Sequence, residues 1–115
     1  MTIWRIAMLA SGLAVSSAQA ASVSLDLPGD AATRETVNYD CGGQKIAATY
    51  INAGDNSLAV LKIGERVVVT VSVLAASGAK YAGQELIWWT KGDEATLYDL
   101  HKGENDPGEL CRKFV

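Results

Sequence analysis

Ser77-Gly78-Ala79-Lys80-Tyr81-Ala82-Gly83-Gln84-Glu85-Leu86-Ile87-Trp88-Trp89-Thr90-Lys91-Gly92-Asp93-Glu94-Ala95-Thr96-Leu97-Tyr98-Asp99-Leu100 is the stretch on which the reading of the fold turns. It holds two of the three tryptophans and two of the four tyrosines, between a small polar turn at Ser77-Gly78 and a charged turn at Lys91-Gly92-Asp93-Glu94. As one strand, residues 79–90 would set Ser77 and Lys91 tens of ångströms apart, at about 3.3 Å per residue. A glycine at Ala82-Gly83-Gln84 permits a reversal instead. The chain then descends through Ala79 to Tyr81, turns, and climbs through Glu85 to Thr90, so the Ser77 and Lys91 loops become neighbours at one rim. Adjacent strand residues face opposite ways, so one of Trp88 and Trp89 belongs in the core and the other outside.

The residues upstream repeat this short-strand rhythm. Ser22 to Leu27 alternates like a strand and Pro28-Gly29-Asp30 breaks it. Val37, Tyr39 and Cys41 alternate into a turn at Gly42-Gly43. Lys45 to Asn52 and Ser57 to Ile63 flank Ala53-Gly54-Asp55-Asn56, and Gly64-Glu65 makes a tight hairpin into Arg66 to Leu74, with Val67, Val69, Val71 and Val73 on one face. No segment carries a capped helical period. Strands and turns at intervals of roughly ten residues describe an antiparallel sandwich or barrel. In one small domain a closed barrel, which removes exposed edges, is the expected answer: all-β, about eight short strands.

Residues 1–20 read as a secretory leader. Arg5 supplies a positive start, Ile6 to Val15 an apolar run, and Ala18-Gln19-Ala20 a cleavage site, leaving a domain over residues 21–115. The alternative is an N-terminal helix of a cytosolic protein. Leu9-Ala10-Ser11-Gly12 hints at a lipoprotein box, but Leu13 stands where the lipid-bearing cysteine belongs, so a soluble periplasmic protein without a membrane anchor is expected. Losing Arg5 with the leader moves the net charge from −3 to −4. In an oxidising compartment Cys41 and Cys111, the only two cysteines, allow a single disulfide.

Catalytic signatures are scarce. A nucleophilic triad could be built only around the single histidine, His101, and there is no Gly-x-Ser-x-Gly turn and no glycine-rich nucleotide loop. Two thiols and one histidine make a poor metal set, so neither metal nor cofactor is expected. No basic block invites nucleic acid. Glu85, Asp93, Glu94 and Asp99 read first as a solvated strand face and turns. By composition alone, Ser77-Gly78 and Lys91-Gly92-Asp93-Glu94 are ordinary turns.

Taken in order, the motifs say more. Tyr39-x-Cys41, Tyr50-x-Asn52, Ser77-Gly78-Ala79-Lys80-Tyr81, the run from Trp89-Thr90-Lys91-Gly92-Asp93 through Glu94-Ala95-Thr96-Leu97, and Cys111 span residues 39–111. Across them the chain resembles the C-type lysozyme inhibitor family of Gram-negative bacteria, its membrane-bound and periplasmic forms together. The absent lipid-box cysteine resembles the periplasmic branch. The resemblance implies a small disulfide-closed β-barrel that plugs the active-site cleft of a c-type lysozyme, with Ser77 and Lys91 as the key residues. A hydroxyl both donates and accepts, so Ser77 would suit a cleft holding one protonated and one ionised carboxyl, and the Lys91 ammonium would pair with the ionised one. Gly78, Ala79, Lys80, Tyr81, Thr90, Gly92, Asp93 and Glu94 would be rim contacts. Inhibition would be by occupancy, with no covalent step, and the chain itself would not be an enzyme.

Two other classes compete. A periplasmic module for saccharides or peptidoglycan fragments would use the outward tryptophan as a stacking platform. An envelope scaffold would have no target cleft at all. A homodimer formed at one barrel edge is a further possibility.

Overall fold

The computed structural model describes residues 10–14, 22–27 and 31–115. Apart from residues 10–14, the leader expected over 1–20 lies outside the described residues, as does the break at Pro28-Gly29-Asp30. No helix among the described residues is long and apolar enough to cross a membrane.

Among the described residues eight strands run in order: β1 (Thr33–Cys41), β2 (Gln44–Ala53), β3 (Asn56–Ile63), β4 (Arg66–Val73), β5 (Ala79–Gly83), β6 (Leu86–Lys91), β7 (Glu94–Asp99) and β8 (Glu109–Lys113). Each pairs antiparallel with its sequence neighbour, and β8 returns to β1, so the sheet is a closed barrel. The all-β barrel and its strand number are as expected. Ser22–Leu27 is not a strand: Val23 and Leu25 stand exposed in irregular chain. Alternation alone does not make a strand: residues 22–27 pair with none of the eight strands.

The tight connections are two-residue hairpins, as at Lys91↔Glu94 around Gly92-Asp93, where Gly92 takes φ +59°. That left-handed value suits the twist of the flanking strands and favours glycine. The reversal between β5 and β6 is displaced by one residue from the expectation. Gly83 is still in the strand, paired with Leu86, and Gln84 carries the positive φ of 51°. Gly83 serves packing instead: a Cβ there would meet the Val69 carbonyl oxygen at 2.2 Å and Thr70 at 3.0 Å. Gly83→Ala is therefore expected to push β5 off β4 and cost about 2 kcal/mol in urea unfolding, whereas Gln84→Gly is tolerated. Equal stability of Gly83→Ala and wild type would refute the close approach.

Inside lie Tyr39, Ile46, Leu61, Val68, Tyr81, Leu86 and Trp88, with Ala48, Ala59 and Ala95 making room for the rings. Trp88 is fully buried. Its indole N–H donates to the Tyr50 hydroxyl (2.9 Å), which bonds in turn to the Tyr39 hydroxyl (2.8 Å), so the polar tips of three aromatics satisfy one another. Burial, then the Tyr39 bond, push the Tyr50 phenol pKa up from its ordinary 10, keeping the network neutral. The disulfide joins Cys41 to Cys111, both buried.

Arg66 and Glu85 form a bidentate pair at the end of the barrel that carries the β3–β4 and β5–β6 turns; Arg66 Nη2 donates to Glu85 Oε2 at 2.7 Å. This bonding holds the Glu85 carboxyl down at about 2 against an ordinary 4.5. A depressed folded pKa means the pair's stabilisation is complete above the ordinary carboxylate range and is lost as pH falls from about 4.5 through about 2. Thermal melts of Glu85→Gln should accordingly fall less steeply with pH over that window than those of wild type. Identical slopes would show that the pair is not responsible.

Candidate functional site

The opposite end of the barrel carries the β2–β3, β4–β5 and β6–β7 connections. Two of these come together there. Leu74 to Gly78 bridge β4 and β5, and the Lys91–Glu94 hairpin bridges β6 and β7. Pairing of Ala79 with Thr90 brings the two loops side by side, as the two-pass reading of residues 79–90 requires.

Their fit is close. Gly78 has φ +64°, and a Cβ on it would meet the Thr90 carbonyl oxygen at 2.2 Å and Lys91 Cγ at 2.8 Å. Only glycine lets the backbone after Ser77 lie flat on the β6 end. From the other side the Trp89 indole N–H donates to the Ser77 carbonyl oxygen at 2.8 Å. Ser77, Gly78, Lys91, Gly92, Asp93 and Glu94 are all exposed. Among the described residues the Lys91 ammonium makes no ion pair, while its acidic neighbours do. Glu94 faces Arg112 at 3.5 Å and Asp93 faces Lys113 at 3.7 Å, both partners on β8. The rim thus presents a hydroxyl and an uncommitted cation, with the nearby carboxylates occupied.

The expected rim contacts divide by strand alternation. Lys80 faces outward with Trp89, its cross-strand partner, and its ammonium lies 4.9 Å from the indole centroid. Tyr81 points inward, only 7% exposed, with its ring 5.8 Å from that of Tyr50. Strand alternation sets it on the face opposite to its neighbours Lys80 and Ala82. Ala79 packs against the core, and Thr90, half-buried, bonds the Ala79 carbonyl at 3.3 Å, so both shape the barrel mouth. Trp88 is the inward tryptophan and Trp89 the outward one.

Leu74, 98% exposed beside the Ser77 loop, was not singled out from sequence; nothing in an alternating strand marks its last residue as a protruding apolar tip. The β8 cations that occupy Asp93 and Glu94 also escaped, since their meeting depends on a register twenty residues away.

The remaining chemistry is sparse. No group of three potential metal ligands occurs among the described residues. His101 lies exposed, its Nδ1 3.6 Å from Asp99 on a short 3-10 turn (Leu100–Lys102). A groove lined by Gln44, Ile63, Arg66, Glu85, Asp99 and Lys102 opens at the far end from Ser77 and Lys91. The candidate site is a projection, not a receptacle.

Residues 39–106 match the family described as membrane-bound lysozyme-inhibitor of c-type lysozyme. The chain is 44% identical to the Pseudomonas aeruginosa protein named membrane-bound lysozyme inhibitor of C-type lysozyme, over 94% of this chain and 89% of that one. It is 49% identical to a protein of the same name from Cupriavidus necator, over 60% of this chain and 56% of that one. In three dimensions it resembles P. aeruginosa MliC as crystallised in complex with hen egg white lysozyme, with a TM-score of 0.71 and 43% identity over 84% of this chain and 100% of that one. A match across most of the barrel, in sequence and in fold alike, means that the chain belongs to the family of membrane-bound lysozyme inhibitors of c-type lysozyme.

Proposed function

We propose that this chain is a non-covalent protein inhibitor of c-type lysozyme which inserts the Ser77 and Lys91 loops into the enzyme's active-site cleft. The observation that carries the reading is the convergence of an exposed hydroxyl and an unpaired ammonium on one projecting rim. It is supported by a 43% identical barrel solved with hen egg white lysozyme. Ser77 would share hydrogen bonds with the two cleft carboxyls and Lys91 would neutralise the ionised one, where exclusion of water strengthens both contacts. Neither residue makes or breaks a bond, so the chain acts as a plug and not as an enzyme. Its acidic balance would steer it toward a basic enzyme, with an association rate that falls as salt rises.

The place of action is the cell envelope, and within it the periplasm, reached through removal of residues 1–20 and protecting peptidoglycan there. The relatives are named membrane-bound. In this chain both cysteines are joined to each other, and residues 10–14 contain none.

The saccharide alternative is weakened by the aromatic arrangement. Trp88 is buried, and the Trp89 ring is already approached by the ammonium groups of Lys80 and Lys91. The deciding experiment is inhibition of hen egg-white lysozyme by the oxidised domain beginning at Ala21. Absence of inhibition by folded protein would sink the reading.

A further inference from the structure

The two loops at the rim are not independent, and the side chain that joins them is Trp89. It lies on the outer face of β6, half-buried, between the loops. Its N–H donates to the Ser77 carbonyl oxygen at 2.8 Å. Its ring meets the Lys91 ammonium at 5.0 Å and the Lys80 ammonium at 4.9 Å from the centroid. One indole thus bonds the backbone of the Ser77 loop by its edge and holds two cations by its π-system.

The chemistry of each contact is distinct. The hydrogen bond fixes the carbonyl of the residue whose hydroxyl is to be presented, so the Ser77 loop cannot swing away from β6. The cation–π contact restrains a long, flexible side chain without consuming its N–H donors, because the attraction is to the ring quadrupole. A lysine tethered by a carboxylate would have its charge neutralised before any partner arrived. A lysine tethered by an indole keeps its full charge for the partner while already ordered. The tight seat of Gly78 on Thr90 and Lys91 completes the unit.

We infer that Trp89 is the positioning residue of the inhibitory rim, pre-ordering Ser77 and Lys91, with Lys80 as a second presented cation, for a partner cleft that carries carboxyl groups. This rests on the lysozyme-inhibitor reading above. Pre-ordering lowers the rotamer freedom lost on binding and shows mainly as a slower dissociation rate.

Two substitutions separate the contacts. Trp89→Phe keeps an aromatic face for the ammonium groups and loses the N–H; Trp89→Leu loses both. Against hen egg-white lysozyme, Trp89→Phe should raise the inhibition constant about fivefold and Trp89→Leu about 50-fold, chiefly through faster dissociation. Lys91→Ala should cost several-fold less in the Trp89→Leu background than in wild type, the mark of coupled residues. A readout without lysozyme accompanies these. The Lys91 ε-methylene protons should show an upfield ring-current shift by NMR in wild type and Trp89→Phe, and not in Trp89→Leu. Wild-type inhibition with an unaffected Trp89→Leu, or an equal Lys91→Ala effect in both backgrounds, overturns the inference alone. An unshifted Lys91 methylene in wild type overturns it even if Trp89→Leu does not fold. No inhibition by wild type overturns the underlying functional reading, and the inference falls with it.

Discussion

Replacing Ser77 and Lys91 together by alanine is expected to weaken inhibition of a c-type lysozyme by about 1,000-fold while leaving the melting temperature within about 3 °C of wild type. The larger share belongs to Lys91. Removing one partner of a desolvated charge pair costs about 3 kcal/mol, because the carboxylate left in the cleft has lost both its counter-charge and its water. Ser77→Ala removes a hydroxyl that bridges two carboxyl groups, worth about 1–2 kcal/mol. The single changes should not sum neatly, since the loops touch through Gly78 and share Trp89. Stability is spared for a different reason. Both residues are exposed, Lys91 makes no ion pair among the described residues, and the bond from Trp89 goes to the Ser77 main chain, which alanine keeps. Inhibition constants and melting curves for the two single variants and the double variant check the claim. A double variant that inhibits like wild type would keep the function and move the site elsewhere on the surface.

Much of this rim was legible before the fold was known, because it depends on local reversals. A chain that turns near Gly83 and again at Gly92 brings positions 77 and 91 to the same end whatever surrounds it. What alternation cannot supply is which face is inside. Val67, Val69, Val71 and Val73 are the more apolar set of β4, yet they are 38–58% exposed, and Val68 and Thr70 point inward. The register decides it. Leu61 pairs with Val68 and Ala59 with Thr70, and cross-strand partners share a face, so burying Leu61 and Ala59 commits Thr70 to the core. Its hydroxyl is satisfied there by the Ala59 carbonyl at 2.5 Å. The same ambiguity hid which tryptophan lies inside and made Tyr81 look like a surface residue beside Lys80.

The misplaced reversal has a similar cause. Glycine suggests a turn because it tolerates positive φ, but Gly83 is required by a neighbouring strand thirteen residues earlier in the chain. Long-range crowding leaves no mark in a local window. Ser22–Leu27 alternates well enough to be a strand and lacks only a partner, which no alternation within the segment can supply.

Closure also sets the second large effect. The seam between β1 and β8 is short, joined in register only at Tyr39↔Lys113 and Asp40↔Arg112, whereas β1 pairs with β2 along its whole length. The Cys41–Cys111 disulfide sits directly beside that seam, across a separation of 70 residues. It constrains the unfolded chain and clamps the weakest join of the folded one. The Cys41→Ala, Cys111→Ala double variant should therefore lose about 4 kcal/mol, which for a domain of this size lowers the melting temperature by about 15–30 °C. The loss should reach the rim. Arg112 and Lys113 on β8 occupy Glu94 and Asp93, so fraying of β8 releases two carboxylates beside Lys91 that compete for its charge. Inhibition should then decline at temperatures below the global melt, in step with faster hydrogen exchange of the β8 amides. A fall in melting temperature of less than about 5 °C would mean that main-chain pairing and the core hold the seam unaided. In that case the disulfide would have no stabilising role large enough to link the closing strand to the rim.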